Sequence, residues 1–177
     1  MRARPGIAGK ERRIVLVGMM GSGKTSVGRA LAARTGWPYH DNDDLLRELS
    51  GRSAKEILAA DGEPGLRRAE AQALARGLEC PAPCIVSAAA GTVLESGARA
   101  ALEAGAIVVW LRAPTAVLAR RASRSADRPW LTGDAEEWIE AADERRRPLY
   151  AEIADLIVDT ADLTPAQVAD EITAAVA

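Results

Sequence analysis

A glycine-rich turn that directly follows a short apolar run constrains this chain more than any other feature. Gly18-Met19-Met20-Gly21-Ser22-Gly23-Lys24-Thr25 fits the pattern G-x-x-x-x-G-K-[ST]. The run Ile14 to Val17 before it reads as a buried strand, and Lys24 to Thr35 carries helical periodicity that Gly36 stops. Strand, loop and helix in that order aim successive backbone N–H groups and a helix N-terminus at one anion. The pattern therefore points to a nucleoside triphosphate held by Gly21, Ser22, Gly23, Lys24, Thr25 and Ser26. Lys24 is expected on the β- and γ-phosphates, and the Thr25 hydroxyl on Mg²⁺. A glycine-rich turn with no ligand is the bland alternative, and the flanking strand and helix argue against it. Met19 and Met20 fill positions that the pattern leaves open, and neither is given a function.

The remaining chain alternates short apolar runs with longer amphipathic ones, the signature of an α/β fold with a parallel sheet. Further strands are expected at Trp37–His40, Cys84–Ala88, Ala106–Leu111 and Asp155–Val158. Helices are expected from Asp43 to Leu49, Ser53 to Ala60, Pro64 to Gly77, Leu94 to Ala104 and Pro114 to Ser123. Another should run to about Arg147, and a last one should start at Pro165. Ser53 and Glu56 have capping-box spacing. The polar, arginine-bearing stretch from residue 122 to 134 reads as a lid, and residues 1–12 as a loose tail. With 177 residues, no repeat and no linker, one domain is expected.

Charge and composition exclude some partners. A net charge of -2 gives no general reason to bind nucleic acid or an anionic membrane, and no apolar run reaches membrane-spanning length. Cys80 and Cys84 with the single His40 cannot complete a zinc site, so they read as free thiols in a reducing compartment, the cytoplasm. A GTPase would carry an N/T-K-x-D motif, and none is present. An ATPase motor would end a strand in an acid, whereas the candidates end in Ser87 and Leu111-Arg112. A compact kinase that closes over its substrates remains.

Several motifs in register then carry a resemblance. Asp41-Asn42-Asp43 follows the second strand, and Gly62-Glu63-Pro64-Gly65-Leu66-Arg67-Arg68-Ala69-Glu70 follows in turn. Arg128-Pro129-Trp130-Leu131 lies in the lid, and Arg146-Arg147-Pro148-Leu149-Tyr150 near the end. Together with the glycine-rich loop these resemble the shikimate kinase family over roughly residues 12 to 176. The resemblance implies a three-layer P-loop kinase fold: a five-stranded parallel sheet with helices on both faces, a lid, and a substrate-binding region at 42–77. It implies a monomer that uses ATP and Mg²⁺ to phosphorylate the 3-hydroxyl of shikimate.

Roles carry over residue by residue. Asp43 would accept the hydroxyl proton and hold substrate hydroxyls, and Asp41 would join Thr25 in positioning Mg²⁺. Capping of the next helix is the competing explanation for this acidic cluster, and the two are compatible. Arg67 and Arg146 would take the substrate carboxylate with their planar forks, Arg67 being oriented by Glu70. Arg128 would come down with the lid onto the transferring phosphate. Arg121 and Pro165 match positions that sandwich adenine.

Two departures matter. The family places three glycines after the third strand, and here Ala89 and Ala90 precede Gly91. A Cβ narrows a loop that touches substrate, and strains it by about 1–2 kcal/mol if the backbone is left-handed. Leu66 replaces the phenylalanine before the motif arginine. Three readings therefore stay open: a shikimate kinase, a related kinase for another polyol, cyclitol or sugar acid, or a nucleotide-binding protein without turnover.

Overall fold

The computed structural model describes residues 2–3, 12–123 and 135–176. Five parallel strands form the centre: β2 (Arg13–Val17), β3 (Tyr39–Asp41), β4 (Cys84–Ser87), β5 (Ile107–Arg112) and β6 (Leu156–Asp159). They lie in the order β3-β4-β2-β5-β6. A two-residue strand, β1 (Arg2–Ala3), pairs antiparallel with β6 at one edge. Part of the stretch expected to be a loose tail thus lies on the sheet, because an edge strand leaves backbone groups open to pairing.

Seven helices among the described residues cover the sheet: α1 (Lys24–Thr35), α2 (Asn42–Ser50), α3 (Ala54–Leu78), α4 (Ser96–Gly105), α5 (Thr115–Ala122), α6 (Ala135–Ile153) and α7 (Pro165–Val176). Strand alternation divides them into two layers. Ile14 and Leu16 of β2 pack with Val27 and Leu31 of α1 and Val168 and Ile172 of α7. Val15 and Val17 face the opposite way, toward Leu74, Leu102, Leu118, Ile139 and Tyr150 of α3 to α6. Each fully buried aliphatic side chain there contributes about 1.5–3 kcal/mol. Cys80 and Cys84 are buried free thiols in this second layer. No helix among the described residues is long and apolar enough to cross a membrane.

The elements depart from expectation in two places. α3 joins two expected helices, with a non-helical break at Gly62 (φ 67°, ψ −174°) and Pro64 opening the second part. α6 runs on through Pro148 to Ile153, past the expected end at Arg147. Pro148 forgoes one helical hydrogen bond, but Tyr150 and Ile153 beyond it are 1% exposed, and their burial outweighs that loss. α2 and α3 carry a small core of their own, Leu45, Leu46, Ile57 and Ala73. The Ser53–Glu56 capping box forms as its spacing implied.

β2 is the middle of the five parallel strands, with β4 and β3 on one side and β5 and β6 on the other, so the chain after β2 fills first one side and then the other. Its carboxyl end is therefore a switch point, where an open α/β sheet leaves a crevice. Leu16 and Asp41 both register with Ser87 of β4, which sets the glycine-rich loop and the acidic cluster side by side.

Candidate active site

A cavity of about 1090 Å³ opens at that crevice. It is lined by Gly21 through Ser26, Asp41, Asp43, Arg67, Ala89, Ala90, Gly91, Arg121, Arg146 and Pro165, among others. The structure thus brings together every site residue expected from the sequence except Arg128, which lies outside the described residues. The lid expected at 122–134 falls largely there too.

The glycine-rich loop has little freedom. Gly21 has φ 78°, and a Cβ on it would stand 2.3 Å from the Leu118 carbonyl oxygen, so no side chain fits. The Lys24 ammonium donates to the carbonyls of Gly18 (2.8 Å) and Met19 (3.1 Å), which holds it across the loop. Thr160, which motif reading passed over, donates to the Ser22 carbonyl at 3.2 Å. Arg121 binds the carbonyls of Thr160 (2.8 Å) and Ala161 (3.2 Å), and so fastens α5 to the loop that leads to Pro165.

Asp41 makes the helix cap weighed for this acidic cluster, and it also meets Thr25. One carboxylate oxygen caps α2 by accepting from the Asp43 N–H at 3.1 Å. The other accepts from the Thr25 hydroxyl at 2.9 Å and the Tyr39 hydroxyl at 2.6 Å. Tyr39 also meets Ser87 Oγ at 2.8 Å. Burial, helped by the Asp41 hydrogen bond, pushes the Tyr39 phenol above its ordinary range, so it stays a donor. Tyr39 and Ser87 carry no motif signature, and only strand register reveals them. Thr25 and Asp41 form an oxygen-donor corner beside the phosphate loop. That suits Mg²⁺, which takes one or two protein oxygens and fills its remaining positions with phosphate and water.

The two arginines differ in kind. Arg67 donates to Glu70 at 2.6 Å and to Glu63 at 2.9 Å. Burial alone would lower its pKa, but the two carboxylates outweigh that and raise it. Burial raises the pKa of Glu70, against the pull of Arg67, and Asp43 adds to the rise, so Asp43 faces the same cluster. Arg146 is 4% exposed and has no carboxylate partner among the described residues. One of its nitrogens donates to the Met19 sulfur at 3.5 Å, its Nε has no partner, and its guanidinium stands 5.9 Å from the centre of the Trp138 ring. Burial holds its pKa below the ordinary arginine value. Met19, left without a role on sequence grounds, is 1% exposed and lies against Arg146 and Tyr150.

The alanine pair carries no backbone strain. No residue other than glycine has a positive φ among the described residues, so Ala89 and Ala90 bear no left-handed strain. The Tyr150 hydroxyl donates to the Ala90 carbonyl at 2.7 Å and fixes the loop. A Cβ on Gly91 would lie 1.7 Å from a guanidinium nitrogen of Arg67, so a side chain there would displace that arginine from its place in the cavity. Restoring glycine with the double substitution Ala89→Gly and Ala90→Gly should leave kcat/KM within about threefold and lower stability by roughly 1 kcal/mol through added backbone entropy. A steep gain in turnover would show that the alanines restrict the site.

Comparison with known proteins places these features in a family. A family model described as shikimate kinase matches residues 20–177. A shikimate kinase of Caulobacter vibrioides is 42% identical over 163 residues, covering 92% of this chain and 80% of the relative. One of Cereibacter sphaeroides is 39% identical over 168 residues, covering 94% and 83%. Among solved structures, the shikimate kinase of Acinetobacter baumannii in complex with shikimate matches with a TM-score of 0.88 and 29% identity, covering 95% of this chain and 93% of that one. A gluconokinase of Sinorhizobium meliloti shares the fold alone, with a TM-score of 0.62 at 21% identity.

Proposed function

The chain belongs to the shikimate kinase family, and from that premise we propose that the cavity transfers the γ-phosphate of ATP to the 3-hydroxyl of shikimate. The observation that carries the reading is Arg146, a buried guanidinium that makes no salt bridge among the described residues and keeps its Nε unsatisfied, with Glu70 acting on it only electrostatically. A buried cation so weakly compensated is costly, and a ligand carboxylate relieves that cost on binding. Arg67, kept in place by Glu63 and Glu70, presents a second fork to the same cavity. An acceptor bearing one carboxylate on a small ring suits this pair.

The phosphate side is the glycine-rich loop. Its N–H groups and Lys24 would hold the β- and γ-phosphates, and Arg121 and Pro165 would flank the base. Thr25 and Asp41 would hold Mg²⁺, which would supply positive charge against the phosphates. Asp43, exposed on the first turn of α2, would orient the acceptor hydroxyl and take its proton as the oxygen attacks phosphorus. Arg128 would add positive charge over the transferring group.

Purified protein with Mg-ATP should release ADP only when shikimate is present, as followed by a coupled assay. ADP release driven by another hydroxy acid but not by shikimate would overturn the choice of acceptor.

A further inference from the structure

The apolar wall of the acceptor site raises a question that the motif residues leave unanswered. Leu66 lines the cavity without a ring, and the chain contains no phenylalanine. Trp138 is the only aromatic residue among the described residues that line the cavity. It lies on α6, two turns before Arg146, and is 42% exposed, which is unusual for so large an apolar side chain. Its ring faces the Arg146 guanidinium at 5.9 Å, within the range of a cation–π contact. The same guanidinium donates to the Met19 sulfur at 3.5 Å. Arg146 is thus held by a ring and a sulfur, with no salt bridge among the described residues and Glu70 acting on it only electrostatically.

We propose that Trp138 is a positioning and specificity residue for the acceptor: it holds Arg146 toward the cavity and supplies the apolar wall against which the acceptor ring packs. This rests on the acceptor site described above and extends it to a residue outside the motifs. A carboxylate in place of Trp138 would pair with Arg146 and compete with the substrate acid. An aromatic face holds the cation and leaves its hydrogen-bonding edge open. A half-exposed indole then has a use that burial in the core would not give it.

The test measures steady-state kinetics in shikimate at saturating Mg-ATP for Trp138→Ala, Trp138→Phe, Arg146→Gln and the double variant Trp138→Ala/Arg146→Gln. Trp138→Ala should raise KM for shikimate about five- to tenfold and leave kcat within about twofold. Trp138→Phe should stay within about twofold of the parent in both, since a smaller ring keeps the contact. In the Arg146→Gln background the alanine substitution should cost only about two- to threefold, the share due to the apolar wall, because the share that acts through Arg146 is already gone. An unchanged KM in Trp138→Ala, or an equal cost in both backgrounds, would overturn the proposal while the kinase reading stands. If the parent protein shows no shikimate-dependent turnover, the kinase reading fails, and this inference with it.

Discussion

Lys24→Ala is expected to lower kcat by about a thousandfold, leaving the fold intact. One preorganised donor aimed at developing charge is commonly worth about 10²–10³ in rate. Lys24 combines that role with a full positive charge, in a chain whose only other lysines are Lys10 and Lys55. Its aliphatic stem lies at the start of α1, whereas the core contacts of that helix come from Val27 and Leu31. The melting temperature should therefore shift by no more than a few degrees. The ammonium also bonds the Gly18 and Met19 carbonyls, so some loosening of the loop is included in the loss. Lys24→Arg separates the two contributions. It keeps the charge but not the compact ammonium, and should recover nucleotide binding more than turnover. A fall in kcat of less than tenfold for Lys24→Ala would remove Lys24 from the transferring phosphate.

The second large effect combines opposite signs. Arg146→Met should raise KM for shikimate by about 10- to 100-fold, since a hydrogen-bonded charge pair is worth about 1.5–3 kcal/mol. The same substitution should raise the melting temperature by a few degrees. Arg146 is buried, its Nε is unsatisfied and its pKa is held down by burial, so the folded protein bears the cost of desolvating it. A methionine of similar length ends that cost and packs among Met19, Trp138 and Tyr150. Thermal melts and shikimate kinetics on one preparation would test both halves. A lower melting temperature with an unchanged KM would mean that Arg146 is structural and that the carboxylate is bound elsewhere.

Arg67→Met should behave differently. Glu63 and Glu70 already compensate its charge, and Glu70 is only 12% exposed at the side chain. Removing the arginine leaves that carboxylate without its partner, and burial has already raised its pKa. Stability is expected to fall at neutral pH and to recover as Glu70 protonates in acid. The sign follows from the direction of the shift: a buried carboxyl with a raised pKa binds its proton more tightly in the folded state than in the unfolded one. Melting curves from pH 7 down toward pH 5 should show the deficit of the variant shrinking.

Local physics explains how much of this was legible in the chain. The glycine-rich loop needs particular backbone angles at Gly21 and a helix start at Lys24, and both are written in consecutive residues. The helix from Lys24 to Thr35 and the Ser53–Glu56 box were read with the bounds the structure shows, because caps and stops are short-range signals. α6 was read too short, since Pro148 is a local stop signal and the burial of Tyr150 and Ile153 that overrides it is a long-range effect. Ala89 and Ala90 looked like damage only while the loop's backbone angles were unknown.

The sequence by itself determined the nucleotide half of the site, the class of fold and the residue types facing the acceptor. Those follow from contiguous motifs and from alternation along strands, which any reader of the chain can apply. The tertiary structure decided which charges are compensated. Arg67 and Arg146 look alike as letters, yet α3 supplies Arg67 with two acids three and four residues away, while α6 carries Arg146 to a place where a sulfur and an indole meet it and no salt bridge forms among the described residues. It also decided that Gly91 is the position in that loop that leaves room for the Arg67 guanidinium. Compensation and clearance are properties of groups distant in sequence and adjacent in space, and only folding brings them together.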